Sequence, residues 1–338
     1  MSRRYLVTGG AGFIGSNLVR HLLRADPTGQ VTNLDLLTYA GVQATVDEID
    51  QIDRHRFIEG DIRDPAVVDE VVQGHDVVIH LAAETHVDRS IGSPVVFSDT
   101  NVAGTAVLLE ASRRHLVERF IHVSTDEVYG SVDEGFADED TQLLPSSPYS
   151  ASKAGADLLA LAYHHTYGFP VIVTRCTNNF GPYQFPEKLI PLFVTSLLEG
   201  RRVPLYGDGA NMRDWLHVED HCRALHLLVD KGEAGQVYNI GANAQVSNLD
   251  LTKLILGIFK LDESWIESVP DRPGHDFRYA VNSGRIRDLG WAPIHSLVDR
   301  LTETIEWYRT RRDWWEPLTN SPLNQSPSSP AQSETHIR

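Results

Sequence analysis

In the stretch Ser124-Thr125-Asp126-Glu127 a hydroxyl and two carboxyl groups stand side by side, and Tyr149 and Lys153 follow at the four-residue spacing that places two side chains on one helix face. A tyrosine, with an ordinary pKa of about 10, is a poor base at neutral pH, yet a neighbouring ammonium favours its phenolate. Taking a proton from an alcohol while a hydride leaves needs only that one base. Two further carboxyl groups therefore imply a second event, and loss of water is the leading candidate. Paired carboxyls divide such labour when their surroundings separate their pKa values, one staying protonated as acid and the other free as base. Adjacent strand residues face opposite ways, so Asp126 and Glu127 reach one cleft only if a turn begins at the strand end. Thr125 is short and can donate or relay a hydrogen bond to a reacting hydroxyl. The bland alternatives are a solvated acidic loop and a threonine that caps a strand end.

The hydride needs an acceptor, and the glycine pattern Gly10-x-Gly12-x-x-Gly15, overlapped by Gly9-x-x-Gly12-x-x-Gly15, supplies a place for one. Small residues let the backbone turn tightly, approach a pyrophosphate and aim the next helix N-terminus, through Phe13 and Ile14, at negative charge. Asp35 lies 20 residues beyond Gly15, where a carboxylate accepts from an adenine ribose and repels a 2′-phosphate. No basic residue occurs from Asn33 to Tyr39 to neutralise such a phosphate, so the expected cofactor is NAD. Its positive nicotinamide ring would also favour the Tyr149 phenolate, and Lys153 could hold the nicotinamide ribose. Asp61-Ile62 and Leu81-Ala82-Ala83 close two further strand candidates; Asp61 could hold the adenine amino group, while the small residues let the cofactor pass closely. An ordinary turn aspartate and close helix packing would explain them equally simply. Asn101, inside a helical pattern, could support an active-site water or the backbone near Lys153.

These residues need a scaffold, and the first half of the chain reads as repeated strand and helix units. Short apolar runs at Arg4 to Thr8, Val31 to Leu34, Arg56 to Ile58, Val77 to Leu81, Arg119 to Val123 and Val171 to Thr174 alternate with helical patterns. Such runs predict an α/β fold: a Rossmann-type parallel sheet flanked by helices, with a smaller C-terminal substrate-binding lobe. One long helix is expected from Pro94 to about His115 and another from Ser150 to Tyr167. After Arg175 turn-rich segments dominate around a helix at Pro186 to Glu199. The expected organisation is an NAD-binding core over 1–175, rejoined by segments near 215–245 (Trp215 to Val229 and Val237 to Ile240), and a substrate lobe mainly over 176–315. Residues 322–338, rich in Ser, Pro and Gln, read as a disordered tail. No internal repeat is evident.

The 338 residues, 41% hydrophobic, suffice for a substantial core. A formal net charge of −16 argues against nucleic acid or an anionic membrane as partner, although a small basic pocket for a phosphorylated ligand remains compatible with it. Cys176 and Cys222 are the only cysteines, and no basic leader precedes an apolar run, so a cytoplasmic protein without a disulfide scaffold is expected. No apolar stretch reaches the roughly 18 to 20 residues of a membrane span. Nothing points to a metal site.

Together these motifs resemble the dTDP-glucose 4,6-dehydratases of the extended short-chain dehydrogenase/reductase family across residues 3 to 315. Besides the segments already quoted, the likeness rests on His86-Val87-Asp88-Arg89-Ser90, Asn178-Asn179-Phe180-Gly181-Pro182, Arg213-Asp214-Trp215 and Asp271-Arg272-Pro273-Gly274-His275-Asp276. Phe180 stands where similar proteins often carry tyrosine. The resemblance implies a tightly retained NAD and a nucleotide-activated glucose held between two lobes. It makes Tyr149 the base at the C4 hydroxyl, assisted by Thr125, with the C4 hydride moving to NAD. Glu127 then removes the proton at C5 as Asp126 protonates the departing C6 hydroxyl, and hydride return to C6 gives a 4-keto-6-deoxy sugar. Asn179, Lys188, Arg213, Asn248, Arg272 and His275 would hold the thymidine diphosphate, and His86 would line the sugar or nicotinamide edge. Apart from the resemblance, Arg213-Asp214 could be an internal ion pair and Arg272 a loop charge. Asp88-Arg89 would order their loop, and Trp307, Trp314 and Trp315 would serve packing. Related proteins commonly form homodimers through helices near Pro94 to His115 and Ser150 to Tyr167. Three other readings stay open: a dehydratase or epimerase acting on another nucleotide sugar, a nucleotide-sugar decarboxylase, and a non-catalytic NAD-responsive interaction protein.

Overall fold

The computed structural model describes residues 2–49, 53–271 and 275–319, so Arg272 and the tail at 322–338 lie outside the described residues. The strands in chain order are β1 (Arg4–Thr8), β2 (Gln30–Asp35), β3 (His55–Glu59), β4 (Val77–His80), β5 (Arg119–Thr125), β6 (Val171–Cys176), β7 (Asn178–Phe180), β8 (Val203–Tyr206), β9 (Met212–His217), β10 (Val237–Ile240), β11 (Gln245–Ser247) and β12 (Ile266–Val269). Seven of them form one sheet in the order β10-β6-β5-β4-β1-β2-β3, parallel at every pairing.

The reason is visible in the alternation. Tyr5, Val7, Val77, Ile79, Ile121 and Val123 enter the core on one face of the sheet, while Leu6, Val78, Phe120, Val171 and Val173 enter the core on the other. A strand apolar on both faces needs helices on both. Phe13–Ala25 and Val218–Lys231 cover the first face, and Pro65–Val72, Thr105–Arg114 and Pro148–Tyr167 cover the second. The strand order reverses between β1 and β4, which opens a crevice at the carboxyl ends, where Thr8, Asp35, His80, Thr125 and Cys176 stand.

The long helix expected from Pro94 to His115 is not uniform. It runs as α-helix over Pro94–Phe97, widens into a π-helical segment over Ser98–Gly104 and resumes as α-helix over Thr105–Arg114. Hydrophobic periodicity does not register a local change of winding, and here the widened segment carries buried Asn101.

The second half builds a β11-β9-β7 sheet and a β12-β8 pair around a separate core that includes Phe185, Phe193, Leu251, Ile255, Tyr308 and Trp315. Here the expectation for Trp215 to Val229 needs correcting. Its strand, β9, pairs in the smaller sheet, the helix after it covers the main sheet, and only β10 joins the main sheet. The helix expected from Pro186 spans Leu189–Leu198. Trp314 donates to Thr45 Oγ1 at 2.8 Å and Trp315 to the Tyr308 carbonyl at 2.7 Å, which locks the last helices onto the body. No helix among the described residues is long and apolar enough to cross a membrane.

Candidate active site

Two adjoining cavities, about 190 Å³ and 260 Å³, occupy the crevice. The smaller is lined by Gly9, Gly12, Asp35, Asp61, Ile62, Leu81 and Ala83. Gly9 has φ +75°, and a Cβ there would lie 2.6 Å from the Ala82 nitrogen. At Gly15, which lines the larger cavity with Phe13 and Ile14, a Cβ would lie 2.1 Å from the Gly9 carbonyl oxygen. Both positions therefore exclude any side chain, and the loop is a backbone cradle of the kind a pyrophosphate fits. Asp35 accepts from the Ala11 and Leu37 amides, each at 2.9 Å, so it also ties the glycine loop to the end of β2. Burial raises its carboxyl pKa and those amides oppose the rise. Asp61 is held by Arg63 at 2.6 Å, and that partner lowers its pKa. Every residue expected to bind a dinucleotide lines one of the two cavities.

The larger cavity contains Thr125, Asp126, Glu127, Tyr149 and Lys153 together. Strand β5 ends at Thr125, and Asp126–Tyr129 is one 3₁₀ turn, capped by Thr125 Oγ1 accepting from the Glu127 amide at 3.3 Å. This turn cancels the strand's alternation and brings both carboxyl groups to one side. Burial pushes the Asp126 carboxyl well above its ordinary pKa, with Glu127 and Asp214 adding to the rise against Arg213. Its Oδ2 has no hydrogen-bond partner among the described residues. Burial thus favours the protonated form of Asp126, the form that can act as an acid.

Tyr149 and Lys153 stand on the Pro148–Tyr167 helix, which starts with Ser147 and Ser150 capping each other reciprocally and Pro148 in the first turn. Burial and the Glu127 charge hold the Tyr149 phenol well above 10.0, and a hydrogen bond with Thr125 opposes them. The Lys153 ammonium donates to the Val123 carbonyl at 2.8 Å, and burial lowers its pKa to about 8. Asn101 accepts from the Glu84 amide at 2.8 Å and donates to the Glu84 carbonyl at 3.0 Å and to Ser152 Oγ at 2.9 Å. It joins the loop beside the smaller cavity to the helix that carries Tyr149 and Lys153.

The residues expected at the nucleotide sugar are more scattered. Asn179 and Lys188 line the larger cavity. Asn179 donates to the Thr177 carbonyl at 2.9 Å and lies 3.0 Å from His221 Nδ1; Lys188 donates to the Thr85 carbonyl at 3.1 Å. His86, Arg213, Asn248 and His275 line neither cavity. His86 caps a short helix 3.6 Å from Glu187, and burial lowers its pKa, so it is neutral there. Arg213 donates to the Met212, Phe277 and Asp276 carbonyls and covers the Tyr279 ring, while its neighbour Asp214 accepts from the Asn243 and Ala244 amides. Asn248 is buried, with its Oδ1 unpartnered among the described residues. His275 lies 2.7 Å from Asp271.

Sequence reading did not single out Cys176, Gln184 or Glu187, which also line the larger cavity, because isolated loop and strand-end residues carry no pattern. A further hollow of about 360 Å³ lies among Arg20, His217, Glu219 and Arg300. There His217, Glu219 and His295 come together, but Arg300 reaches Glu219 at 3.1 Å and His295 at 2.7 Å, so a guanidinium already supplies the cation.

Comparison with known proteins gives consistent results. A family model described as GDP-mannose 4,6 dehydratase matches residues 6–304. A dTDP-glucose 4,6-dehydratase of Streptomyces niveus is 55% identical over 320 residues, covering 93% of this chain and 95% of that protein. The crystal structure of DesIV, a dTDP-glucose 4,6-dehydratase from Streptomyces venezuelae determined with NAD bound, superposes with a TM-score of 0.91 at 53% identity, covering 93% of this chain and 99% of that one. The UDP-glucose 4-epimerase of Thermus thermophilus, also in complex with NAD, gives 0.84 at 30% identity over 90% of this chain and 99% of that one.

Proposed function

We propose, for a chain that belongs to the dTDP-glucose 4,6-dehydratase family within the wider GDP-mannose 4,6-dehydratase group, that its two adjoining cavities hold NAD and dTDP-glucose for conversion to dTDP-4-keto-6-deoxyglucose and water. It is a carbon–oxygen lyase of deoxysugar biosynthesis. The observation that carries this reading is the single turn that presents Asp126 and Glu127 to the cavity containing Tyr149. A 4-epimerase or a simple dehydrogenase needs the tyrosine but has no use for both carboxyl groups.

Gly9, Gly12, Phe13, Ile14 and Gly15 would cradle the dinucleotide, with Asp35 at the adenine ribose, Asp61 and Ile62 at the adenine, and Leu81 and Ala83 along its backbone. When bound, NAD takes the hydride from C4 of the sugar and later gives it back at C6. Tyr149 accepts the C4 hydroxyl proton, Thr125 holds that oxygen, and Lys153 supplies positive charge beside the phenol. The ketone so formed makes C5 acidic. Glu127 removes the C5 proton while Asp126, whose protonated form burial favours, gives a proton to the C6 hydroxyl, and water leaves. Glu127 then returns a proton to C5.

Lys188 and Asn179 are the first candidates for diphosphate and sugar contacts, followed by His86, Arg213, Asn248, Arg272 and His275. The sheet, including β10, is the NAD-binding part and the separate second core the substrate lobe, with a tightly retained cofactor, a homodimeric state and a cytoplasmic location as further parts of the proposal. Incubation with dTDP-glucose tests the reaction: a ketone-bearing product lighter by one water supports it. Equal mass would indicate an epimerase, and retained NAD binding without turnover an interaction protein.

A further inference from the structure

The mechanism above makes no use of the most deeply buried charged group on the catalytic helix. Asp157 follows Lys153 by four residues, as Lys153 follows Tyr149, so the three share one helix face. Asp157 and its partner Arg175 are almost wholly buried, with Arg175 Nε donating to Asp157 Oδ2 at 2.9 Å. His122 Nε2 lies 3.3 Å from the other carboxylate oxygen. Arg175 also donates to the Tyr129 hydroxyl at 2.8 Å, and Tyr129 closes the turn that carries Asp126 and Glu127. One buried carboxylate thus connects, through Arg175, to the acidic turn, and lies one helical turn from the lysine.

We propose that Asp157 is a positioning residue: its carboxylate, fixed by Arg175 beside His122, keeps the Lys153 ammonium charged next to Tyr149. This rests on the reading that Tyr149 acts as the base at C4. The other groups that face Lys153 do not replace Asp157. His80 on β4 and His122 on β5 are both held below their ordinary pKa by burial and are neutral. Cys176 on β6 is a thiol whose pKa burial pushes up to about 12, and burial raises the pKa of Tyr149 and of Asp126, so neither is a standing counter-charge for the lysine. Arg175 on β6 adds positive charge. Glu127 faces the cavity and, as the C5 base, changes protonation during turnover. Burial lowers the Lys153 pKa to about 8, and Asp157 is the leading influence that opposes the fall. A buried ammonium this close to neutrality is sensitive to its counter-charge.

The test is the pH dependence of kcat/KM for dTDP-glucose with the NAD-containing enzyme. Lys153 acts as a cation, so activity should fall as pH rises through its pKa. Asp157→Asn should move that alkaline limb down by about one unit or more, which is about a tenfold loss of relative activity on the limb. Arg175→Gln should move it up, because Asp157 is then opposed by Lys153 alone. Loss of packing would lower activity across all pH and would not shift two variants in opposite directions. A limb unchanged in Asp157→Asn, or two limbs displaced the same way, overturns the inference while leaving the dehydratase reading intact. Should Asp157→Asn fail to fold, Asp157→Ser replaces it: a limb moved down supports the inference and an unmoved limb ends it. A wild-type enzyme that never dehydrates dTDP-glucose removes the reading and the inference together.

Discussion

Lys153 shows how a residue proposed for catalysis strains the fold that holds it. Its ammonium is buried, and its pKa falls from 10.5 to about 8 mainly through that burial. Below pH 8 the folded protein bears the whole penalty; between 8 and 10.5 the unfolded chain binds a proton that the folded one does not, so this contribution to stability improves as pH rises. Lys153→Met should therefore abolish turnover yet raise stability at pH 7 by about 1 kcal/mol, with the advantage shrinking toward pH 10.5. Urea denaturation at two pH values checks it; a variant less stable than wild type at pH 7 would contradict it. The carboxyl groups predict an ordered set of defects. Tyr149→Phe should suppress the first hydride transfer, Glu127→Gln should stall after C4 oxidation, and Asp126→Asn should slow departure of the C6 hydroxyl. Each loss should be on the order of 100-fold or more. Rapid quench with solvent-deuterium exchange at C5 resolves the order, and wild-type exchange in Glu127→Gln would exclude Glu127 as the base.

At the scale of elements, the site depends on three local departures from regular structure: the glycine loop at Gly9 to Gly15, the 3₁₀ turn that ends β5, and the π-helical segment around Asn101. The last carries its own prediction. Asn101 supplies three hydrogen bonds, two to Glu84 and one to Ser152, and replacing it with leucine would leave those polar groups unmatched. Each buried orphan costs about 1–3 kcal/mol, so Asn101→Leu should lower the melting temperature by several degrees and loosen the loop beside the cofactor. Calorimetry together with the amount of NAD retained after purification measures both. Unchanged melting and full retention would show that the amide does not couple loop to helix.

The whole molecule exposes apolar side chains on the two helical regions proposed to meet a second copy: Val95 is 68% exposed and Leu158 60%, with Val96 and Tyr167 also exposed. Such side chains favour a symmetric contact, in which each copy offers the same patch. Light scattering at micromolar protein should give a dimer, and Val95→Asp with Leu158→Asp should give a monomer. A wild-type monomer would remove the dimer from the proposal.

Some of this was settled by the chain alone. The glycine spacing with Asp35, the Tyr149-Lys153 pair and the Thr125-Asp126-Glu127 run are local patterns, legible because their chemistry depends on residue type and near-neighbour spacing. The six strands from β1 to β6 were legible for the same reason, since strands covered on both faces are short, continuous apolar runs. Long-range partners were not. That β9 belongs to the smaller sheet while β10 completes the large one depends on pairings between distant segments, which neither strand encodes locally. Arg213 and Asp214 sit side by side yet make separate sets of hydrogen bonds, because each turns to backbone groups supplied by other parts of the chain. The turn that unites Asp126 with Glu127 and the burial that separates Lys153 from water are likewise products of packing. A pKa is set by everything that surrounds a group, so the chain named the candidate residues while only the tertiary structure decided the surroundings that set their charge.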